Sequence, residues 1–293
     1  MNVGLWETGI VTGILTGGVY ALMASGLTLV FGVLEIINVA QGSLIIAGAY
    51  LSYVLQRYLH MNIFIGLILT MPFMFCVGYI IDRVFIRRMK VDRVMMSILV
   101  TFGVALVIEG LLTMIFSSGY VHLQSGAINA SFPFGGMRVP YIYLYCFLMS
   151  LVILAALYVL LYRTAFGRAL RATVQNRNAA QLIGIDVNRM SSITYGIGAA
   201  LAAAGGMGYG AISSFNGNSQ YDLISRVLVI IVLGGMGNVG GALIAALGML
   251  VVEDVVAAVW SPSWSTLVFF IILAATLVIR PQGLFRAKEA RQQ

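Results

Sequence analysis

Residues 141–162, YIYLYCFLMSLVILAALYVLLY, run for twenty-two positions without a charged side chain. An α-helix crosses a hydrocarbon core in roughly 20 apolar residues, because lipid offers no partner for backbone N–H and C=O groups. The stretch therefore reads as a transmembrane helix. Similar runs lie on both sides of it, near 9–34, 36–56, 63–85, 95–116, 191–213, 223–236, 242–260 and 264–280. That gives about nine crossings, with eight or ten as the bounds, by the hydropathy rule. Two regions set those bounds: residues 1–56 and 223–241 each contain a glycine-rich break. The runs are continuous and do not alternate, which excludes a transmembrane β-barrel. The expected fold is an all-α polytopic membrane protein, a single domain over 1–293 in which some helices are broken.

Composition agrees. Of 293 residues, 60% are apolar and 9% charged, and the mean hydropathy is +0.98. A soluble domain is roughly 45–50% apolar and about 25% charged. The net charge of +7 marks topology here, not a nucleic-acid surface, because fourteen of the seventeen basic residues fall in three segments between apolar runs. These are Arg83, Arg87, Arg88, Lys90 and Arg93; Arg163, Arg168, Arg171, Arg177 and Arg189; and Arg280, Arg286, Lys288 and Arg291. The positive-inside rule puts all three in the cytoplasm, with the N-terminus outside and the C-terminus inside. The 117–140 segment, with Gly119, Gly126, Pro133, Gly135, Gly136 and Pro140, reads as an external loop of turns. The first nine residues lack a basic n-region, so the first helix is expected to be retained.

The chemistry of catalysis is missing. There is no G-x-x-x-x-G-K-[ST] to cradle a nucleotide. The two histidines, His60 and His122, fall in loops or at helix ends. Cys76 and Cys146 lie inside apolar runs with no metal-ligand spacing. No catalytic residue, metal site or cofactor is therefore expected in this chain. Four acidic residues in or beside the spans stand out: Glu35, Glu109, Glu253 and Asp254. Intramembrane carboxylates face cavities or partners, and each is a functional candidate by default. Glu35 sits at the inner end of its run and suits an interface. For the other three, structural and functional roles both remain open.

Two glycine-containing breaks interrupt the apolar pattern. At an offset of 200, Asn38-Val39 aligns with Asn238-Val239, Leu44 with Ile244, and Gly48 with Gly248. Discontinuous helices place free backbone groups at the solute site of transporters. Asn38, Gln41 and Gly42 in the first break, and Gly235 and Asn238 in the second, are thus candidates for a substrate path. Helix-end turns are the alternative. The small-residue stretch GAALAAAGGMGYGA (198–211) has tight helix packing as its commoner meaning.

Residues 163–189, RTAFGRALRATVQNRNAAQLIGIDVNR, interleave Arg168, Arg171 and Arg177 with Ala169, Ala172, Ala179, Ala180 and Leu182. The pattern predicts short amphipathic helices on the cytoplasmic face, one of them ended by Gly184. Composition alone allows either a solvated positive loop or a docking element.

Four stretches carry a resemblance: FGVLEIINVAQGSLIIAGAY (31–50), GRALRATVQNRNAAQLIGIDVNRM (167–190), LGGMGNVGGALIAALG (233–248) and RPQGLF (280–285). In this order they resemble the H-type permease subunits of branched-chain amino acid ABC importers, over nearly the whole chain. Val39 and Gln41 stand where Phe and His are common. The resemblance implies a bacterial inner-membrane subunit surrounded by lipid, with a second permease, two cytoplasmic ATP-binding subunits that bind the ATP, and an extracytoplasmic substrate-binding protein. It implies that Gly167, Arg168, Arg171, Ala179, Ala180, Leu182 and Gly184, within a coupling segment at 163–190, meet an ATPase. ATP-driven motion of that segment would tilt the spans between outward- and inward-open states. Two other readings stand beside it. One is a proton-coupled secondary transporter with Glu109 or Glu253 as carrier. The other is an intramembrane enzyme, which the lack of a buried histidine disfavours.

Overall fold

A computed structural model describes residues 3–89, 93–124, 131–134, 137–280 and 284. The described helices are α1 (Val3–Leu34), α2 (Gln41–Leu59), α3 (Ile63–Val84), α4 (Arg93–Phe116), α5 (Tyr141–Arg163), α6 (Ala165–Gln175), α7 (Arg177–Leu182), α8 (Val187–Ile212), α9 (Ser219–Gly234), α10 (Val239–Val259) and α11 (Pro262–Ile279). A 3-10 turn, Ile86–Arg88, follows α3. An antiparallel hairpin pairs β1 (Ser131–Phe134) with β2 (Met137–Pro140). It lies in the segment expected to be turns only; Gly126, Gly135 and Gly136 lie outside the described residues.

Each predicted apolar run overlays one long helix. Six of these helices are long and apolar enough to cross a membrane: α1, α3 with its 3-10 extension, α4, α5, α10 and α11. The other three, α2, α8 and α9, lie inside the bundle. Along α8 nearly every residue is buried, so these helices face protein and need no lipid-soluble exterior. The 16 residues of α9 also fall short of the roughly 20 needed for a full crossing.

Helix contacts are close because the residues at them are small. Apolar side chains gain little from leaving lipid for protein, so membrane helices associate through packing, which small residues permit. A Cβ added at Gly13 would lie 2.5 Å from the Cα of Val251, which sets α1 antiparallel against α10. On α8, a Cβ at Gly206 would lie 2.0 Å from the Ile45 carbonyl oxygen. The 198–211 stretch is thus a packing surface against α1, α2 and α3.

The bundle is sided. Trp6, Trp260 and Trp264 lie where α1 begins, α10 ends and α11 begins, which the antiparallel α1–α10 contact makes one end. Arg87, Arg88, Arg163 and Arg189 lie at the other, where α3 and α5 end and α8 begins.

Candidate translocation break and coupling hairpin

Helix α1 stops at Glu35, whose φ of 55° is left-handed and ends the helical ladder. Its side chain is exposed, as an interface position requires. The chain does not then cross over at the bundle end; it turns back inside. Gln41, the first residue of α2, donates from Nε2 to the carbonyl oxygens of Met23 at 3.5 Å and Gly198 at 3.4 Å. Both lie eleven residues from the nearer helix end, which is roughly 16 Å at about 1.5 Å per residue. Predicted to begin at 36, the second helix starts instead at depth.

A re-entrant backbone must find partners within the protein. The Val39 N–H donates to Thr101 Oγ1 at 3.0 Å. Asn38 donates from Nδ2 to Gln41 Oε1 at 3.3 Å, and its Oδ1 accepts the Tyr195 hydroxyl at 2.9 Å. Asn38, Gln41, Thr101 and Tyr195 are all buried. Gly42 follows, and a Cβ there would come within 2.5 Å of the Gln220 carbonyl oxygen.

Gln220 extends the cluster. Its Nε2 and the Tyr221 hydroxyl each donate at 2.6 Å to Glu109 Oε2 on α4. Asn38, Gln41, Gly42 and, through Gln220, Glu109 therefore form one connected region. Gly235 and Asn238 do not join it: they lie at the opposite end of α9. There Gly235 and Gly237, at φ 84° and 85°, reverse the chain. Asn238 Oδ1 accepts the Gly241 N–H at 3.0 Å and caps α10. The offset-200 counterparts also differ in packing: a Cβ at Gly48 would strike Ala203 Cα at 2.3 Å, whereas Gly248 has open space around it.

Several residues escaped the sequence reading. Thr101 and Tyr195 serve the break from helices far away in the chain. Asp82 lies within a predicted span, is buried, and accepts the Ser192 hydroxyl at 2.6 Å. The rule for intramembrane carboxylates applies to it as to Glu109 and Glu253. Glu253 pairs with Arg226 of α9, and Asp254 accepts the Thr16 hydroxyl at 3.2 Å.

The predicted amphipathic segment is the hairpin α6–α7. Thr164 caps α6 by accepting the Gly167 N–H at 3.2 Å, and Asn176 caps α7 by accepting the Ala179 N–H at 2.9 Å. Gly167 has no room for a side chain, since a Cβ would lie 2.0 Å from the Leu161 carbonyl oxygen. Arg171 bonds that same oxygen and covers the Tyr162 ring. Gly184, at φ 86°, closes α7, and Asp186 caps α8 through the Arg189 N–H at 3.0 Å. Arg168 and Ala179 are exposed. So are Leu182 and Ile183, 89% and 72% accessible, whereas Ala180 is buried in the fold. The apolar tip therefore belongs to Leu182 and Ile183. Of RPQGLF, Arg280 and Leu284 are described, and the Leu284 N–H donates to the Leu233 carbonyl at 2.8 Å.

A sided helical bundle with a re-entrant break defines a polytopic membrane protein of the transport type. Residues 9–277 match the model of the branched-chain amino acid transport system / permease component family, and the chain belongs to that family. It is 27% identical to the high-affinity branched-chain amino acid transport system permease protein BraD of Pseudomonas aeruginosa, over 97% of this chain and 96% of the relative. LivH of Salmonella typhimurium is also 27% identical, over 96% and 95%. A probable branched-chain amino acid permease, LivH of Methanocaldococcus jannaschii, is 27% identical over 92% and 90%. No solved structure matches the chain significantly. The chain is thus the permease component of a transport system.

Proposed function

We propose that this permease component carries branched-chain or other small neutral amino acids inward across a bacterial inner membrane. It does so beside a second permease, with two cytoplasmic ATP-binding subunits supplying the energy and an extracytoplasmic protein delivering the solute. The observation that carries the reading is the family match over nearly the full chain. The apolar tip of Leu182 and Ile183 supports it, because water-exposed aliphatic residues at the end of a capped hairpin suit a docking contact.

In this reading α1–α5 and α8–α11 make nine crossings of one domain. The arginine-rich end is cytoplasmic, the N-terminus lies outside and the C-terminus inside. The 163–190 segment is the coupling element: Gly167, Arg171, Ala180 and Gly184 shape it, while Arg168, Ala179 and Leu182 face the ATPase. The 38–42 break is the gate of the path and Glu109 braces it. Gly235 and Asn238 form the inner turn beside Gly32, whose added Cβ would lie 3.2 Å from Gly237.

Affinity purification of the tagged chain from membranes that co-express the neighbouring genes tests the assembly. Recovery with a second permease and a pair of ATPases is expected. Recovery of the chain alone, or as a homo-oligomer without an ATPase, would contradict it.

A further inference from the structure

On the tryptophan side of the bundle, among α1, α8, α9 and α10, lies a half-open cavity of about 150 Å³. A water occupies roughly 30 Å³ of liquid, so the space holds about five waters, room for the polar head of a small amino acid. Its polar wall is Tyr20, Tyr209, Arg226, Glu253 and Asp254; Val19 and Leu250 form an aliphatic flank.

The charges in it are incompletely matched. Arg226 Nε lies 3.0 Å from Asp222, one turn earlier on α9, and Nη1 pairs with Glu253 Oε1. Glu253 is 5% accessible, and its second oxygen, Oε2, is buried with no hydrogen-bond partner among the described residues. Two carboxylates, Asp222 and Glu253, thus contact the Arg226 guanidinium, and Asp254 lines the same cavity, within a span where ionised groups mark solute pathways. An unpaired buried carboxylate oxygen is costly, and apolar residues often replace a buried ion pair without loss of stability. Helix packing alone does not account for the arrangement. Among the described residues the buried Glu253 Oε2 lacks a donor, which an ammonium group entering the cavity would supply.

We infer that this cavity binds the zwitterionic head of an α-amino acid. Arg226, whose Nε and Nη1 already hold Asp222 and Glu253, offers its remaining guanidinium N–H groups to the carboxylate. Glu253 Oε2 and Asp254 accept from the ammonium, and the aliphatic side chain lies against Val19 and Leu250. The inference rests on the proposed amino-acid cargo and adds to it a site on the external half of this chain, distinct from the 38–42 break.

The test uses the assembled transporter without its binding protein, carrying Ser213→Cys at the cavity wall in a background with Cys76 and Cys146 replaced. Alkylation by a methanethiosulfonate reagent is followed with millimolar L-leucine, with isocaproate, which lacks the ammonium, or with isoamylamine, which lacks the carboxylate. Leucine is expected to slow labelling about fivefold once it exceeds its dissociation constant several times over. The two half-ligands should not. Glu253→Gln, which keeps the shape of the side chain, should abolish the protection while leaving the rate of unprotected labelling unchanged, which a purely structural ion pair would not produce. Equal protection by a half-ligand, or undiminished protection in Glu253→Gln, overturns the site. If a variant fails to accumulate, the half-ligand comparison on the unmodified cavity decides. Leucine uptake by the parent complex, with binding protein and ATP supplied, is measured in parallel. Uptake without protection overturns this site alone, whereas absence of both overturns the cargo reading itself.

Discussion

Tyr195 donates its hydroxyl hydrogen to Asn38 Oδ1 at 2.9 Å, joining two buried residues 157 positions apart. The bond ties the re-entrant break to α8, and α8 begins directly after the α6–α7 hairpin. Any tilt of α8 imposed at its N-terminal end is therefore felt at Asn38. Tyr195→Phe leaves Asn38 Oδ1 unpaired, and a buried unsatisfied acceptor costs about 1–3 kcal/mol. We expect a lower melting temperature in detergent and faster basal ATP hydrolysis by the assembled complex. Because the residues share one bond, Tyr195→Phe and Asn38→Ala should be non-additive by about 0.5 kcal/mol or more. Strict additivity in thermal melts would show that the contact carries no coupling.

Gly42 and Gly248 give a matched pair. Alanine at 42 forces a Cβ against the Gln220 backbone, whereas alanine at 248 enters open space. Overpacking against backbone costs about 1–3 kcal/mol, so Gly42→Ala should reduce abundance and Gly248→Ala should not. Gly42→Leu should fail to accumulate. A fully abundant but transport-dead Gly42→Leu would place the residue on an open path instead.

Leu182 and Ile183 are the exposed apolar tip of the hairpin, and the proposed docking contact is tested there. Ala180→Asp disturbs the buried side of the hairpin and tests folding, while Leu182→Asp tests the contact. Loss of a desolvated aliphatic anchor costs at least about 1.4 kcal/mol, so Leu182→Asp should weaken ATPase retention about tenfold with normal insertion. Size-exclusion recovery of the ATPase reads this out. Unchanged recovery in Leu182→Asp together with Ile183→Asp would remove the hairpin from the interface.

Sidedness is checked by cysteine labelling in intact cells with Cys76 and Cys146 replaced. Arg171→Cys should be shielded from an impermeant maleimide and Tyr120→Cys, 73% accessible, should react. The reverse pattern would invert the topology.

Much of the fold was legible because lipid imposes its rule on composition: each long apolar run became a helix. The start of α2 was not, since Ile36, Ile37 and Val39 are as apolar as a span, and hydropathy cannot distinguish a re-entrant turn from a crossing. The stop of α7 was readable from Gly184, which acts on neighbours within a few residues; the caps Thr164 and Asn176 appear only in the structure. Ala180 packs on the inner side of the hairpin, which one turn of helix carries too little periodicity to reveal. The partners of Asn38 lie on helices distant in sequence, and no local spacing encodes Thr101 or Tyr195.

The most direct test is uptake of radiolabelled L-leucine into proteoliposomes containing this chain with its partner permease and ATPases. Binding protein is supplied on the outside and ATP within. The account predicts accumulation against a gradient that needs internal ATP and binding protein together, and that is unaffected by collapsing the proton gradient. Accumulation by this chain alone, driven by a proton gradient without ATP, would contradict it.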